Sequence, residues 1–475
     1  MPIRKKTKIV ATLGPATQSK ETLRDMILAG VDVFRVNFSH ANYTDVRERI
    51  TTIRKIGDEL EMPPAILADL QGPKLRVGVM KEEVVVNPGD EILFCTGKEF
   101  EGTAKKVYMN YALFPKDVKA GERILLDDGK LHFEVISTNN KDEVKARVIQ
   151  GGPLRSKKGV NLPNTKISLP AMTKKDIEDA IFAISLEVDW IALSFVRDAD
   201  DLKILNDLIK EHSSYKIPVI AKIEKPEAVK NIKRIIAHCD GLMVARGDLG
   251  VEVPAEEVPL IQKELVLVAK LARIPVIIAT QMMETMITSL TPTRAEVNDV
   301  ANSVMDGADA VMLSGETSIG NYPVQVIETM AKIIRSVEHS ALIRVPQEPP
   351  QIKTNRYVTK SVCYHAALMA NEIEAKAICT LTNSGYTAFQ ISAWRPNAHI
   401  LVFTSNKNIL TRMSLLWGVR AFHYDKFVST DTTVDDVNKI ALEKGFVEKG
   451  DYLINLAAMP IKNKGMVNTL RVSQV

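Results

Sequence analysis

IPVIAKIEKPEAV, residues 217–229, opens as a buried strand and ends on charge. Side chains two apart on a strand share a face. Lys222 and Glu224 therefore point the same way, with Ile223 on the other side. Two readings fit these residues alone. One is a solvated ion pair at a strand end, which contributes little. The other is a site that transfers something anionic, and the choice depends on what the neighbouring strands carry.

Working outward from this strand, the same strand–helix alternation recurs. Before it lie TKIVATLG, DVFRVNFSH and PAILADLQG, separated by helices such as SKETLRDMILAG, which has a Ser cap, Glu in its first turn and a terminal Gly. DWIALSFV precedes it, and GLMVARGDLG, PVIIATQM and ADAVMLSGET follow. Eight βα units of this kind predict a (β/α)8 TIM barrel, with a doubly wound sheet as the alternative.

Two stretches break the pattern. Residues ~74–169 read as short β runs between Pro-Gly-Asp, Asp-Asp-Gly and Asn-Asn turns, which predicts a small antiparallel β-barrel lid domain inserted into the first. Beyond the proline-rich RVPQEPPQIK comes a separate α/β unit with strands AKAICTLT, HILVFT, RAFHY, YLINLA and TLRVSQV. The expected division is 1–71 with 171–342 for the barrel, 72–170 for the insertion and 343–475 for the C-terminal α/β domain.

Bulk composition narrows the function. The 475 residues carry 62 basic and 58 acidic side chains, a net charge of +4, so no polyelectrolyte signal points to nucleic acid. No apolar run approaches membrane-spanning length, and the basic start MPIRKKTKIVATLG lacks an apolar leader core. Cys95, Cys239, Cys363 and Cys379 are too scattered for a zinc site or disulfide frame and read as core residues in a reducing compartment. A cytoplasmic enzyme is expected.

Barrel chemistry sits at the C-terminal strand ends. Those ends carry Arg35, Asn37, Ser39 and His40; Asp69; Lys222 and Glu224; Arg246 and Asp248; Thr280 and Gln281; Ser314 and Glu316. Polar residues inside apolar alternation are not filler, which favours the second reading of the opening stretch. Glu224 and Asp248, read as lying on adjacent strands, suit Mg²⁺ or Mn²⁺, which usually takes one or two protein carboxylates. Lys222 and Arg35 beside such an ion would hold a phosphoryl or enolate oxygen, and phosphoryl transfer needs mainly positioning and charge cancellation. Gly247 precedes a turn whose backbone N–H groups could bind a carboxylate. Neither GxxxxGK[ST] nor a kinase-type GxGxxG occurs, so any nucleotide is held otherwise.

NFSHANY, DLQGPKLRVG, KGVNLP, AKIEKPEAV, MVARGDLGVEVP, ATQMMETM, TRAEVNDVANSVMDGADAVMLSGET and GNYP, in this order along nearly the whole chain, resemble the pyruvate kinase family. The resemblance implies conversion of phosphoenolpyruvate and ADP to pyruvate and ATP, in a homotetramer. By motif, Lys222 resembles the lysine that stabilises the moving phosphoryl group and the enolate, and Arg35 a phosphoryl contact. Glu224 and Asp248 resemble the divalent-metal ligands, and Gly247, Asp248 and Thr280 the substrate-holding group. Asn37, His40, Arg76, Lys158 and Lys175 resemble nucleotide contacts. Proton delivery to the enolate is expected to involve Thr280 and water.

The family's Asp-x-x-Gly-Pro-x stretch reads Asp69-Leu70-Gln71-Gly72-Pro73-Lys74 here. The branch with Thr, Lys and Glu at the variable positions requires K⁺, on ligands corresponding to Asn37, Ser39, Asp69 and the carbonyl of Leu70. The Leu, Gln, Lys form resembles the K⁺-independent branch, so Lys74 is expected to supply the positive charge that K⁺ brings elsewhere. TNSGYTA (382–388) sits where family members hold a sugar phosphate, and backbone N–H groups with hydroxyls there suit a phosphate. Tyr386 is not basic and the tail lacks a glycine-rich loop, so a sugar-phosphate or nucleotide effector and a plain helix cap both stand. Two rivals are weighed: a Mg²⁺-dependent enolpyruvyl lyase or aldolase, disfavoured by the basic insertion with RSKKGVNLP and Arg76, and a silent metabolite-sensing paralogue, disfavoured because Lys222, Glu224 and Asp248 are all present.

Overall fold

Alternation along the strands decides what faces inward. In the computed structural model, residues 5–82, 84–163, 165–338, 340, 349–350, 355–426, 429–460 and 465–475 are described, with all their side chains except those of His40 and Thr430. Eight parallel strands close a barrel: β1 (Lys8–Thr12), β2 (Val33–Asn37), β3 (Ala65–Asp69), β4 (Trp190–Leu193), β5 (Val219–Ile223), β6 (Gly241–Ala245), β7 (Val276–Ala279) and β8 (Ala310–Leu313). The registers run Asn37 opposite Asp69, Asp69 opposite Ala192, and Lys222 opposite Met243. The doubly wound alternative is thereby set aside.

One set of alternate residues, including Val10, Val33, Leu67, Trp190, Ile220, Met243 and Ile277, packs together inside the barrel. The other set, including Ile9, Phe34, Ala68, Ile191 and Val244, packs against the surrounding helices. Following the inward set toward the strands' C-terminal ends, apolar residues give way to Thr12, Arg35, Asn37, Asp69, Ser194, Lys222 and Glu224. This layer lies at the C-terminal ends of the strands.

The insertion is a six-stranded sheet plus a two-stranded one around its own core, in which the Phe94 and Phe133 rings meet edge to face at 5.4 Å. Its outer strands Lys106–Tyr108 and Val160–Asn161 are joined through 76–80 by isolated bridges, Arg76 with Gly159 and Val77 with Met109. The expectation of a purely antiparallel sheet needs correction: Glu91–Cys95 runs parallel to Lys106–Tyr108. Periodicity carries no record of strand direction, and the intervening ten residues are enough for a return crossover. Gly72 turns the chain into the insertion at φ 71°, and a Cβ there would lie 2.8 Å from the Phe195 ring, so any side chain at this position would be strained and would have to displace that ring.

The C-terminal unit is a five-stranded sheet: β9 (Ala377–Leu381), β10 (His399–Thr404), β11 (Val419–His423), β12 (Tyr452–Ala457) and β13 (Thr469–Gln474), with only β13 antiparallel. Most of RVPQEPPQIK and the expected boundary at 342/343 lie outside the described residues. All four cysteines are free and buried.

This unit docks on the barrel end opposite the polar layer, through a repeated device. An aspartate immediately precedes each even strand: Asp32, Asp189, Asp240 and Asp309. Each accepts the backbone N–H of a residue at the start of the preceding odd strand, namely Ile9, Ile66, Val219 and Val276, at 2.7–3.0 Å. The second oxygen of three of them turns outward to the C-terminal unit. Asp32 meets Arg420 at 3.3 Å, Asp189 meets the Thr411 hydroxyl, and Asp309 meets Arg395 at 2.9 Å. Leu415 joins the packing inside the barrel, and the Trp190 indole donates to the Arg412 carbonyl at 3.1 Å.

Candidate active site

The polar layer is a chain of opposite charges. Arg35 Nε donates to Asp69 Oδ2 at 2.6 Å, and its Nη1 reaches the Thr12 hydroxyl at 3.0 Å. Lys222 Nζ lies 3.2 Å from Asp69 Oδ1 and 3.0 Å from Glu224 Oε1. It also donates to Ser194 Oγ at 2.7 Å, while that hydroxyl donates to the Leu70 carbonyl at 2.6 Å. Glu224 Oε2 accepts the Phe195 N–H at 2.7 Å.

Burial works against every charge in this chain, and pairing decides the outcome. For Lys222, burial lowers the pKa, but Asp69 and Glu224 outweigh it and hold the ammonium above the usual lysine range. For Asp69, burial raises the pKa, but Lys222 and Arg35 outweigh it and hold the carboxyl below its usual range. Glu224 goes the other way. Burial raises it, and the negative charge of Asp248 adds to burial, so Lys222 does not bring it back down. Two carboxylates that repel each other beside one lysine are short of positive charge.

Asp248 shows the same shortage. Its half-buried carboxylate makes no ion pair among the described residues and lines a narrow cleft of about 40 Å³ with Lys225, Phe195 and the insertion's Lys74, Gly159 and Asn161. The donor set fits a hard divalent ion of the Mg²⁺ type, which takes oxygen ligands and keeps several waters. No cluster of three or more acidic, His or Cys groups exists among the described residues, so such an ion would have at most this pair of carboxylates.

The expectation that Asp248 and Arg246 lie on a strand is corrected: β6 stops at Ala245, and Arg246–Glu252 is a short α-helix of seven residues. Glu224 likewise follows β5 rather than lying within it. Arg246 faces away from the cluster. It grips Asp299 with both terminal nitrogens at 2.6 and 2.7 Å and donates to the Thr280 carbonyl at 2.7 Å. That grip holds Thr280 and Gln281 at φ 71° and 55°, a conformation that stores about 1–3 kcal/mol per residue. The Thr280 hydroxyl accepts the Gly247 N–H at 2.7 Å and donates to the Ala279 carbonyl at 2.6 Å, so Gly247's N–H is already engaged. Glu316 is also a brace, accepting from the backbone of Met283 and Ser314.

The expected nucleotide contacts fall on two sides. On the barrel, Asn37 Oδ1 accepts the Ser39 N–H, and Lys175 Nζ holds the Phe38 carbonyl at 2.8 Å and Asp179 at 2.5 Å. His40 lies in the turn after β2, and its side chain lies outside the described ones. On the insertion, Arg76 donates to the Lys157 carbonyl at 3.1 Å, and Lys158 pairs with Asp127 at 2.8 Å. Lys74 is exposed in the cleft and makes no ion pair among the described residues; Asp69 is neutralised by Arg35 and Lys222 instead. Sequence reasoning missed Thr12 and Ser194. Counting in twos from Trp190 through Ala192 places Ser194 inward and was signal enough.

The comparisons with known proteins agree with this geometry. Residues 4–327 match the family model for the pyruvate kinase barrel domain, and residues 360–473 that for the pyruvate kinase alpha/beta domain. Pyruvate kinase 2 of Synechocystis sp. is 42% identical over 480 residues, covering 100% of this chain and 80% of that protein. The pyruvate kinase of Corynebacterium glutamicum is 41% identical, covering 98% of this chain and 97% of its own. A crystal structure of a pyruvate kinase from Cryptosporidium parvum superposes with a TM-score of 0.92 at 30% identity, over 99% of this chain and 96% of that one. The chain belongs to the pyruvate kinase family.

Proposed function

We propose that the cluster around Lys222 is where this chain carries out its family's reaction, the transfer of the phosphoryl group of phosphoenolpyruvate to ADP that gives pyruvate and ATP and ends glycolysis. The observation that carries the reading is the buried Lys222 ammonium, shared between Asp69 and Glu224 at the polar mouth of a closed barrel. In this assignment Lys222 and Arg35 face the equatorial phosphoryl oxygens and the enolate oxygen, where negative charge develops. Glu224 and Asp248 would hold Mg²⁺ or Mn²⁺, which would supply neutralisation of the charge that develops on the substrate. Thr280 and Gly247 line the carboxylate end of the substrate, and the oriented Thr280 hydroxyl passes a proton from water toward the enolate carbon. Asn37, His40 and Lys175 on one side, and Arg76 and Lys158 on the other, receive the nucleotide.

Three of the four groups that would bind K⁺ already have partners. The Leu70 carbonyl takes the Ser194 hydroxyl, Asn37 Oδ1 takes the Ser39 N–H, and Asp69 has two cations. These contacts support a K⁺-independent enzyme in which Lys74 adds positive charge at the cleft. Initial rates of pyruvate formation in tetramethylammonium buffer are expected to change less than about twofold when K⁺ is added, since Asp69 in that pocket already has two cations and gains little from a screened third. Lys74→Glu is expected to lower the K⁺-free rate roughly tenfold, with part restored by K⁺. A strict K⁺ requirement in the unmodified enzyme would sink the lysine assignment while leaving the kinase intact.

The domain limits are 1–71 with 171–342, 72–170 and 343–475. Exposed Leu260, Leu267 and Leu271 line up along the outer face of the helix Val258–Ala272 and support self-association, as a homotetramer. A cavity of about 610 Å³ opens beside Thr382, Asn383 and Ser384, with Arg356 on its wall, and supports a sugar-phosphate or nucleotide effector. No described helix is long and apolar enough to cross a membrane, and the place of work is the cytoplasm.

A further inference from the structure

A second buried ion pair lies one residue beyond Glu224. Lys225 Nζ is 2.5 Å from Glu252 Oε1, and the two side chains are only 9% and 1% exposed. Lys225 immediately follows Glu224. Glu252 is the last residue of the short helix that carries Gly247 and Asp248. The pair therefore spans the gap between the two segments that present Glu224 and Asp248.

The insertion joins the same atom. Asn161 Nδ2 donates to Glu252 Oε1 at 2.8 Å, from the strand Val160–Asn161 that edges the inserted sheet. The adjoining turn at Gly129 packs close to Val251. The other Glu252 oxygen, Oε2, is buried without a hydrogen-bond partner. All of the carboxylate's polar contacts thus converge on one oxygen, shared between a barrel lysine and an insertion amide. A brace for the barrel alone would need only Lys225, and a latch for the insertion alone would not need a buried lysine beside Glu224.

We infer that Glu252 is a positioning residue: through Lys225 and Asn161 it couples the seating of the inserted domain to the spacing of Glu224 and Asp248. This rests on the assignment of those two carboxylates to a divalent ion. With the insertion seated, Asn161 and Lys225 fix the Glu252 carboxylate from two sides. With it displaced, only Lys225 holds Glu252, and the short helix carrying Asp248 loses one of its restraints. Groups that orient ligand-bearing segments commonly govern metal affinity although they never touch the ion.

The test uses the full-length enzyme without substrates and reads bound Mn²⁺ by electron paramagnetic resonance, with kcat and the KM values for ADP and phosphoenolpyruvate alongside. Glu252→Gln is expected to weaken Mn²⁺ binding about tenfold. Asn161→Ala, at the edge of the insertion and far less prone to unfold the barrel, is expected to weaken it roughly threefold, only part of what one hydrogen bond to a charged group is worth, because it acts on the metal carboxylates through Glu252. If Asn161→Ala binds Mn²⁺ as tightly as the unmodified enzyme, the coupling is overturned, whatever becomes of Glu252→Gln. If the unmodified enzyme binds no Mn²⁺ at all, the metal assignment itself fails and the inference falls with it.

Discussion

Replacing Lys222 with methionine is expected to lower kcat by about 10²–10³-fold, the usual cost of removing one preorganised charge from a developing oxyanion. Among the described residues the ammonium is the only group that bridges Asp69 and Glu224, and the two hold it charged well past neutral pH. Its loss removes the charge at the transition state and also leaves two buried carboxylates without their shared partner. KM for phosphoenolpyruvate is expected to move less than kcat, because Arg35 keeps its hold on Asp69 and remains available to the phosphoryl group. Steady-state kinetics on a variant shown by circular dichroism to be folded reads both quantities. A loss of less than tenfold would place the charge-developing centre elsewhere.

Asp32→Asn is expected to destabilise the protein by about 3–5 kcal/mol, the cost of removing one partner from a buried ion network. Asp32 gathers Lys5, Lys8 at 3.6 Å and Arg420 at 3.3 Å, and Lys8 also donates to the Val419 carbonyl at 2.8 Å. Burial alone would raise the Asp32 pKa, but Lys5, Lys8 and Arg420 bring it down to about 2. A carboxyl with a depressed folded pKa stabilises above its unfolded value, and that contribution is lost as pH falls from near 4 through about 2. Lys8 goes the other way, lowered to about 7 by burial despite Asp32. Without Asp32 the lysines favour their neutral forms still more, so the penalty of the substitution is expected to be larger at pH 6 than at pH 9. Urea unfolding at the two pH values measures it. Because Asp32 ties the barrel to β11, loosening of the C-terminal unit is expected before the barrel melts.

Much of the fold was legible because the barrel strands are short apolar runs separated by well-capped helices. The polar intrusions at Arg35, Lys222 and Glu224 stood out against that background, and they are the residues that the structure gathers. What escaped has physical reasons. Arg246–Glu252 reads as a strand end and turn because Gly and Asp are weak helix formers, and the helix there is only seven residues long and fixed by tertiary contacts. Arg246 looked like a site residue by type, yet its geometry is spent on Asp299 and the Thr280 carbonyl. Asp69 was legible as a polar strand end, but its pairing with both Arg35 and Lys222 needs the barrel to bring three strands together. The row of aspartates before the even strands was visible in the sequence at Asp32, Asp189, Asp240 and Asp309. Its meaning needs the closed barrel, because each acts on the neighbouring strand and three also reach the C-terminal unit.

The most direct test is the rate of pyruvate formation from phosphoenolpyruvate and ADP as Mg²⁺ is titrated, for the unmodified enzyme and Glu224→Gln side by side. The unmodified enzyme is expected to saturate with Mg²⁺ and to fall to background in excess EDTA. Glu224→Gln is expected to lose at least about 100-fold at any Mg²⁺ concentration, since an amide cannot replace a charged ligand at the reacting oxygens. A Glu224→Gln enzyme that keeps the unmodified rate and Mg²⁺ dependence would contradict the placement of the reaction at Lys222, Glu224 and Asp248.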